Sequence, residues 1–216
     1  QWMTAGKGVV HGEMFPLIHQ DKENPTRFFQ VWLNLLSKHK FTEPAFVMHW
    51  GSETKKMKDG DKTDVIVWVG EHKGERTEMK SPPNSWAADS ENDVGVIFYS
   101  VKPGGKCEIA PAKGGKGTNR FLYFVEGENG KQFVSDVNVP KKYGAEIIGD
   151  KTAVLENKSE TETMDVLLLQ GRPIGEPVAS HGPFVMNTRQ EIMQCFEDYQ
   201  RTRFGGWPWE KDAMVF

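Results

Sequence analysis

The chain has few of the features that place a protein in a specialised class. Its 216 residues include only two cysteines, Cys107 and Cys195, which are far apart and share no motif. This favours a reducing compartment over a disulfide framework. No apolar run reaches the roughly 18 residues of a membrane-spanning helix, and no basic region followed by an apolar one marks a signal peptide. The sequence therefore predicts a cytoplasmic protein without membrane contact.

The charge balance argues against a protein that binds nucleic acid directly. The formal net charge is −3, with 26% charged and 38% hydrophobic residues, which is typical of a globular protein. Direct binding of nucleic acid would require a basic face or stripe, and none is visible. Lysine clusters at 55–58 and 113–116 lie among acidic residues and indicate solvated loops. The length allows one large or two small domains with a proper core.

Short runs of branched and aromatic residues, separated by turn residues, dominate the chain. They predict strands at 28–35, 45–50, 64–70, 94–101, 120–127 and 164–170. No helical periodicity lies between them, so an all-β sandwich or barrel is expected.

One helix is predicted, over residues 188–203. Thr188 and Glu191 have the spacing of a capping box, in which a hydroxyl and a carboxylate close the first turn. Gly205-Gly206 ends the run. The helix should bury its apolar face on the β core, and Trp207-Pro208-Trp209 after it is expected to pack on the body of the protein. Three residues at helical spacing form that face: Ile192, Phe196 and Tyr199.

The front of the chain carries the residues with the clearest chemistry. A glycine turn at Gly6-Lys7-Gly8 leads into an extended run with His11 and Glu13 two positions apart. In a strand these two side chains project to the same face. Imidazole and carboxylate together suit iron, manganese, zinc or nickel. Two donors make at most half of a metal site, and a histidine packed inside a barrel is the alternative interpretation of His11.

Segments at both ends of the chain resemble one known family. They are residues 1–14 (QWMTAGKGVVHGEM), 31–35 (VWLNL) followed by Glu43-Pro44, 169–178 (LQGRPIGEPV), 181–188 (HGPFVMNT) and 203–209 (RFGGWPW). In this order they closely resemble the pirin family, and the string at 181–188 is highly specific to it. The resemblance covers nearly the whole chain, although residues 51–119 match only loosely.

The resemblance implies a fold and a domain order. Pirins are bicupins, so it implies an all-β chain of double-stranded β-helix (cupin) domains with a C-terminal α-helix. Residues 1–50 would be the last part of the N-terminal, metal-type cupin, whose barrel is therefore incomplete here. Residues 51–171 would form the metal-free C-terminal cupin. Residues 172–216 would form a C-terminal segment whose helix, at about 188–203, packs back on the body.

The resemblance also implies a metal site. Pirins hold one metal, usually iron, with three histidines and one glutamate in the N-terminal barrel. His11 corresponds to the last of those histidines and Glu13 to the glutamate, while the other two ligands are expected upstream of Gln1. Fe²⁺ is the expected cofactor, and other divalent transition metals also fit such a site.

No other residue is predicted to be a ligand. The remaining histidines lack the spacing that would rebuild the site: His19, His39, His49, His72 and His181. Of these, His72 is expected in a charged turn. Cys107 follows the turn at 101–106, where a cupin metal motif would place histidines. A single thiol without partners is more often structural.

Three functions remain open from the sequence. Several pirins resemble quercetin 2,3-dioxygenases, which implies an iron-dependent oxidoreductase acting on a small aromatic flavonol, with Glu13 as the catalytic base for the flavonol hydroxyl. The rival is a non-enzymatic, iron-dependent regulator that acts through a protein partner such as a transcription factor. The third is a metal-free scaffold fragment. Metal content separates the third from the other two, and quercetin turnover separates the first from the second.

Overall fold

The chain forms two compact units. The computed structural model describes residues 1–13, 15 and 17–207. Gln1–Trp2 and Phe46–Ile174 form one unit, called here the sheet unit, and Met3–Ala45 and Gly175–Phe216 form the other, called the terminal unit. The assignment of residues 1–50 and 51–171 to two cupin domains stays a prediction.

Strands make up most of the regular structure. In chain order they are β1 (Trp2–Thr4), β2 (Ala45–Val47), β3 (Lys55–Lys58), β4 (Thr63–Val69), β5 (Glu71–His72), β6 (Glu75–Arg76), β7 (Gly95–Val101), β8 (Lys106–Ile109), β9 (Asn119–Glu126), β10 (Gln132–Val134), β11 (Val137–Asn138), β12 (Gly144–Glu146), β13 (Ala153–Asn157), β14 (Met164–Gly171), β15 (Ala179–His181) and β16 (Phe184–Met186). The one α-helix among the described residues is α1 (Arg189–Thr202), and short 3-10 helices span Ser37–His39, Trp86–Ala88, Ser90–Asn92, Gly115–Gly117 and Arg203–Gly205.

Two antiparallel sheets build the sheet unit. The larger has six strands in the order β12-β9-β14-β7-β4-β3, and the smaller has four in the order β11-β10-β13-β8. Alternation sets the register: in β4 the residues Thr63, Val65 and Val67 are buried while those between them are only half-buried. Val65 lies opposite Tyr99 on β7. Because side chains alternate across a strand, one face of this sheet is apolar.

The core lies between the two sheets. Val67 and Leu122 of the larger sheet and Leu155 of the smaller one are each fully buried, and belong to the same cluster. Burial of such side chains contributes roughly 25 cal/mol per Å² of apolar surface. The alternating apolar side chains of these strands therefore pack the two sheets against each other. The arrangement is all-β and cupin-like.

The structure confirms four predicted strands and corrects one. The runs at 64–70, 94–101, 120–127 and 164–170 correspond to β4, β7, β9 and β14. The prediction at 28–35 is wrong, because this run forms no strand, and β2 covers only the first half of 45–50. Residues 28–35 belong to the terminal unit, whereas the six- and four-stranded sheets lie within the sheet unit.

The helix is confirmed, with its cap. The Thr188 side chain accepts a hydrogen bond from the Glu191 backbone amide, and the Glu191 carboxylate accepts one from the Thr188 amide at 2.7 Å, a complete capping box. Inside the terminal unit the apolar face packs on the β15–β16 hairpin, where the Phe184 and Phe196 rings lie 5.0 Å apart and edge-on. Of the predicted Trp207-Pro208-Trp209 packing, Pro208 and Trp209 lie outside the described residues.

No helix in the described part of the chain has both the length and the apolar character to cross a membrane.

Candidate metal centre

The predicted ligands His11 and Glu13 lie on an open segment of the terminal unit. Both side chains are exposed, and residues 8–13 form no strand. Neither side chain makes a hydrogen bond or ion pair with another residue of the part of the chain that the structure describes. The sequence predicts an extended, strand-like run at His11 and Glu13, but these residues are not part of a strand.

Aromatic rings of the terminal unit pack against the backbone of this segment. Gly8 has φ +114°, and a Cβ there would lie 2.6 Å from the Phe204 ring. A Cβ on Gly12 would lie 3.4 Å from the Trp207 ring. At Gly8 the positive φ and the close ring together require glycine. The segment from Gly8 to Gly12 packs on aromatic residues that follow helix α1.

The donor set around His11 and Glu13 does not form a complete iron site by itself. Within residues 1–13, 15 and 17–207, only one group of three or more metal-type side chains lies close together, and it contains neither residue. A site of three imidazoles and one carboxylate needs two further donors beside this pair. The chain's own described residues therefore supply half of such a site.

The group that the structure does bring together is Asp59, His72 and Cys107. Their ligand atoms lie within 4.8 Å of one another. His72 Nε2 is 3.0 Å from Asp59 Oδ2, and Cys107 Sγ donates to the same oxygen at 3.1 Å. His72 and Cys107 are 3% and 2% exposed. We call these three residues the buried cluster.

Three separate strand ends position the buried cluster. Asp59 directly follows β3, and its amide donates to the Thr63 carbonyl at 2.9 Å, closing the β3–β4 turn. His72 ends the two-residue strand β5. Cys107 is the second residue of β8, where inward positions alternate with exposed ones. Because Cys107 and His72 are inward residues of their strands, both turn away from solvent towards Asp59.

Two further groups surround the buried cluster. Tyr99 on β7, fully buried, places its hydroxyl 3.2 Å from His72 Nδ1. Lys73 donates to the second carboxylate oxygen, Asp59 Oδ1, at 2.7 Å. Each nitrogen of the imidazole and each oxygen of the carboxylate therefore has a defined neighbour, which fixes both side chains in orientation.

Burial and hydrogen bonding determine the protonation of the buried cluster. Burial raises the pKa of the Cys107 thiol far above its usual range, and the neighbouring Asp59 raises it further. Burial lowers the pKa of His72, although the bond to Asp59 opposes this. Burial pushes the pKa of Asp59 upward, but hydrogen bonds from Lys73, Cys107 and His72 outweigh it and hold the pKa low. At neutral pH the group is a thiol, a neutral imidazole and a carboxylate.

Sequence reasoning missed the buried cluster. His72 was expected in a charged turn, and indeed its neighbours Lys73 and Glu75 are exposed, but the imidazole itself is buried. Cys107 was expected to lack partners. The one local signal was the inward position of Cys107 in a strand just after a turn; no spacing rule links residues 59, 72 and 107.

The all-β fold is that of a cupin-type protein. The model for the Pirin C-terminal cupin domain matches residues 98–205, half of the chain. A "Pirin-like protein" of Caulobacter vibrioides is 34% identical over 205 residues, covering 94% of this chain and 67% of that protein. The chain belongs to the pirin family.

Other relatives are longer than the matched region. A "Pirin-like protein" of Solanum lycopersicum is 33% identical over 207 residues, which cover 95% of this chain and 64% of that protein. The human protein "Pirin" is 29% identical, with 95% and 64% covered. The chain thus spans a little less than two thirds of the length of these curated relatives.

Solved structures agree on the fold. A quercetin 2,3-dioxygenase from Acinetobacter baumannii superposes with a TM-score of 0.67 over 81% of this chain and 55% of that one, at 24% identity. A second such structure from the same organism gives 0.63 over 84% and 55%, at 16% identity. At these identities the likeness shows the cupin fold alone.

Proposed function

We propose that His11 and Glu13 are two of four ligands of a divalent metal, Fe²⁺ first among the candidates, in a whole pirin-type protein that oxidises a small aromatic flavonol. The two other ligands are histidines proposed to lie upstream of Gln1. The reaction class is that of quercetin 2,3-dioxygenases, and the expected compartment is the cytoplasm, with the nucleus second.

The exposure of the pair carries the proposal. An imidazole and a carboxylate sit two residues apart, exposed and without partners in the described part of the chain, on a segment anchored by Gly8 against Phe204. A histidine with a purely structural role in the core would instead have its ring nitrogens hydrogen-bonded to neighbouring groups. Membership of the pirin family supports the same ligand assignment.

Glu13 is proposed to have a second role. A carboxylate beside the bound flavonol would accept the proton of its hydroxyl group, because general bases act within hydrogen-bond reach of the proton they remove. The described residues complete only half of the metal site, so this proton transfer is the one chemical step assigned to them.

Quercetin turnover by the iron-loaded whole protein tests the proposal. Carbon monoxide release is expected. His11→Ala should abolish this release and should lower the bound iron by one equivalent. His39→Ala, a histidine proposed to have no ligand role, is the matched control and should keep both. Iron binding without any carbon monoxide release would overturn the dioxygenase function, and iron content unchanged in His11→Ala would overturn the ligand assignment.

Exposed apolar side chains favour a regulator as the second candidate. In the terminal unit, Leu17 is 72% exposed, Ile18 86%, Phe28 62% and Trp32 61%. Large exposed apolar side chains mark contact with another protein surface where they form one patch. Either the rest of an N-terminal cupin or a protein partner such as a transcription factor would cover it. An iron-loaded whole protein that turns over no quercetin, yet binds a partner only in one iron oxidation state, would favour the regulator.

A further inference from the structure

We propose that Asp59, His72 and Cys107 together bind one divalent, borderline-soft transition-metal cation, of which Zn²⁺ is the best match, inside the sheet unit. This site is separate from His11 and Glu13 and goes beyond the proposed function. It also departs from the metal-free domain that the family resemblance implies for residues 51–171. It would tie the β3–β4 turn, strand β5 and strand β8 to one ion.

The donor types and their spacing support the cation. Thiolate, imidazole and carboxylate are all ligands that Zn²⁺ accepts, at about 2.3 Å for sulfur and about 2.0 Å for nitrogen and oxygen. In a tetrahedral site those bond lengths separate oxygen from nitrogen by about 3.3 Å and oxygen from sulfur by about 3.5 Å. The observed separations from Asp59 Oδ2 are 3.0 Å to His72 Nε2 and 3.1 Å to Cys107 Sγ. For these two pairs an opening by a few tenths of an ångström gives the tetrahedral spacing, and all three ligand atoms lie within 4.8 Å of one another.

The outer contacts accommodate the tautomer that metal binding requires. With the ion on Nε2, His72 must carry its proton on Nδ1, and that nitrogen is 3.2 Å from the Tyr99 hydroxyl oxygen, which can accept it. Metal-bound histidines almost always donate their other N–H to such a partner. The fully buried Tyr99 thus occupies the position of an outer ligand that orients the imidazole.

Asp59 provides the route of entry. Its side chain is 16% exposed, against 2% for the side chain of His72. An ion arriving from solvent would meet the carboxylate first. Lys73 lies on the same side, on Asp59 Oδ1 at 2.7 Å, and its charge opposes a second cation there. The site should therefore bind more weakly than one without this lysine.

Binding exchanges one proton for the ion. The Cys107 S–H bond breaks, a sulfur–metal bond forms, and the proton leaves to solvent. His72 is already neutral because burial lowers its pKa, so it moves its proton from Nε2 to Nδ1 and releases none. Asp59 is already ionised because its hydrogen bonds hold its pKa low. No oxidation or reduction takes part.

A plain hydrogen-bonded network is the competing account of the same atoms. It also satisfies the buried groups, since the thiol and the imidazole both donate to Asp59 Oδ2. The two accounts differ in what added metal does. A network alone gives no affinity for Co²⁺ or Zn²⁺ and no proton release on their addition.

Co²⁺ titration of the metal-stripped chain, followed by its absorption spectrum, tests the proposal. Co²⁺ substitutes for Zn²⁺ and gives a near-ultraviolet charge-transfer band only when a thiolate is bound. We expect this band to saturate at one equivalent, to be displaced by Zn²⁺, and to be accompanied by release of one proton. Cys107→Ser should remove the band, while Cys195→Ser, the other free cysteine, should keep it.

Two milder variants keep the test valid if Cys107→Ser fails to fold. Tyr99→Phe removes only the hydroxyl beside His72 and should weaken metal binding by about tenfold to a hundredfold. Lys73→Gln removes the opposing charge and should lower the dissociation constant instead. A simple structural network predicts no metal dependence in either variant.

The double variant His11→Ala/Glu13→Ala separates this proposal from the proposed function. It should keep the band at one equivalent, whatever happens to iron binding in the whole protein. Absence of a thiolate band at saturating Co²⁺ in the wild-type chain would overturn the proposal. So would a band that disappears in this double variant but survives in Cys107→Ser.

Discussion

Two groups of metal-type side chains occupy this chain, and they differ in almost every respect. His11 and Glu13 are adjacent in sequence, exposed and without partners in the described part of the chain. Asp59, His72 and Cys107 are far apart in sequence, mostly buried and fully hydrogen-bonded. A sequence motif identifies the first group, whereas only the fold assembles the second. A recognisable motif and a preorganised site are therefore separate properties.

The two units differ in the same way. The sheet unit has a closed apolar core, in which Leu122 and Phe124 are fully buried. The terminal unit has only Ile192 and Met186 as buried hydrophobic side chains among those described, and it exposes several large ones. Burial contributes most of the free energy of folding, so the sheet unit should dominate the stability of the chain.

The largest effect is expected from one matched pair of phenylalanines. Phe124→Ala leaves a cavity in the sheet-unit core and should lower the free energy of unfolding by about 3–5 kcal/mol. Phe28→Ala removes the same ring from a side chain that is 62% exposed, and its effect should stay within about 0.5 kcal/mol. Urea denaturation measures both. Equal losses would contradict the contrast between the units.

A pH series tests the buried cluster without metal. Because burial lowers the pKa of His72 below the ordinary 6.5, the unfolded chain takes up a proton first as the pH falls. Stability that is complete above pH 6.5 should therefore decline with acidification below it. Asp59, whose pKa is lowered from 3.8, adds its own loss only below that pH.

His72→Gln should flatten the first of these two declines. The variant replaces the imidazole by a group that does not titrate, while His181→Gln changes an exposed histidine and controls for the substitution itself. Urea midpoints measured between about pH 7 and about pH 4 give the slopes, a range chosen from the ordinary pKa values of histidine and aspartate. An unchanged slope in His72→Gln would contradict the account of His72 as a neutral, buried imidazole.

A smaller effect is expected at the helix cap of the terminal unit. Thr188→Ala removes the side chain that accepts from the Glu191 amide, and should cost about 1 kcal/mol. Gln190→Ala, at an exposed position of the same first turn, is the control and should have little effect. Circular dichroism during thermal unfolding reports the helix. A loss no larger than the control's would contradict the contribution assigned to the Thr188 cap.

Sequence patterns predicted those elements of the fold that depend on interactions between residues close in sequence. The alternation in β4 and β7 and the capping box of Thr188 are properties of neighbouring residues, and both are found where the sequence placed them. The run at 28–35 has the same composition as a strand but forms none. Strand formation needs a partner with free hydrogen-bonding groups, and composition alone does not provide one.

The same difference between local and long-range interactions applies to the candidate metal ligands. His11 and Glu13 were identified because their spacing and glycine turn form a motif. The sequence places His72 in a charged turn, and Lys73 and Glu75 after it are exposed, but the imidazole itself is buried. Its burial depends on the pairing of β4 with β7, which brings Tyr99 over it. Contacts between residues 13 and 48 positions apart leave no local trace in a single sequence.

X-ray absorption at the zinc edge of the zinc-loaded chain tests the central claim most directly, because it reports the atoms bound to the ion. The buried cluster predicts one sulfur at about 2.3 Å, with nitrogen and oxygen at about 2.0 Å. The sulfur should remain in His11→Ala/Glu13→Ala and disappear in Cys107→Ser. A coordination shell of nitrogen and oxygen alone in the wild-type chain would contradict the claim.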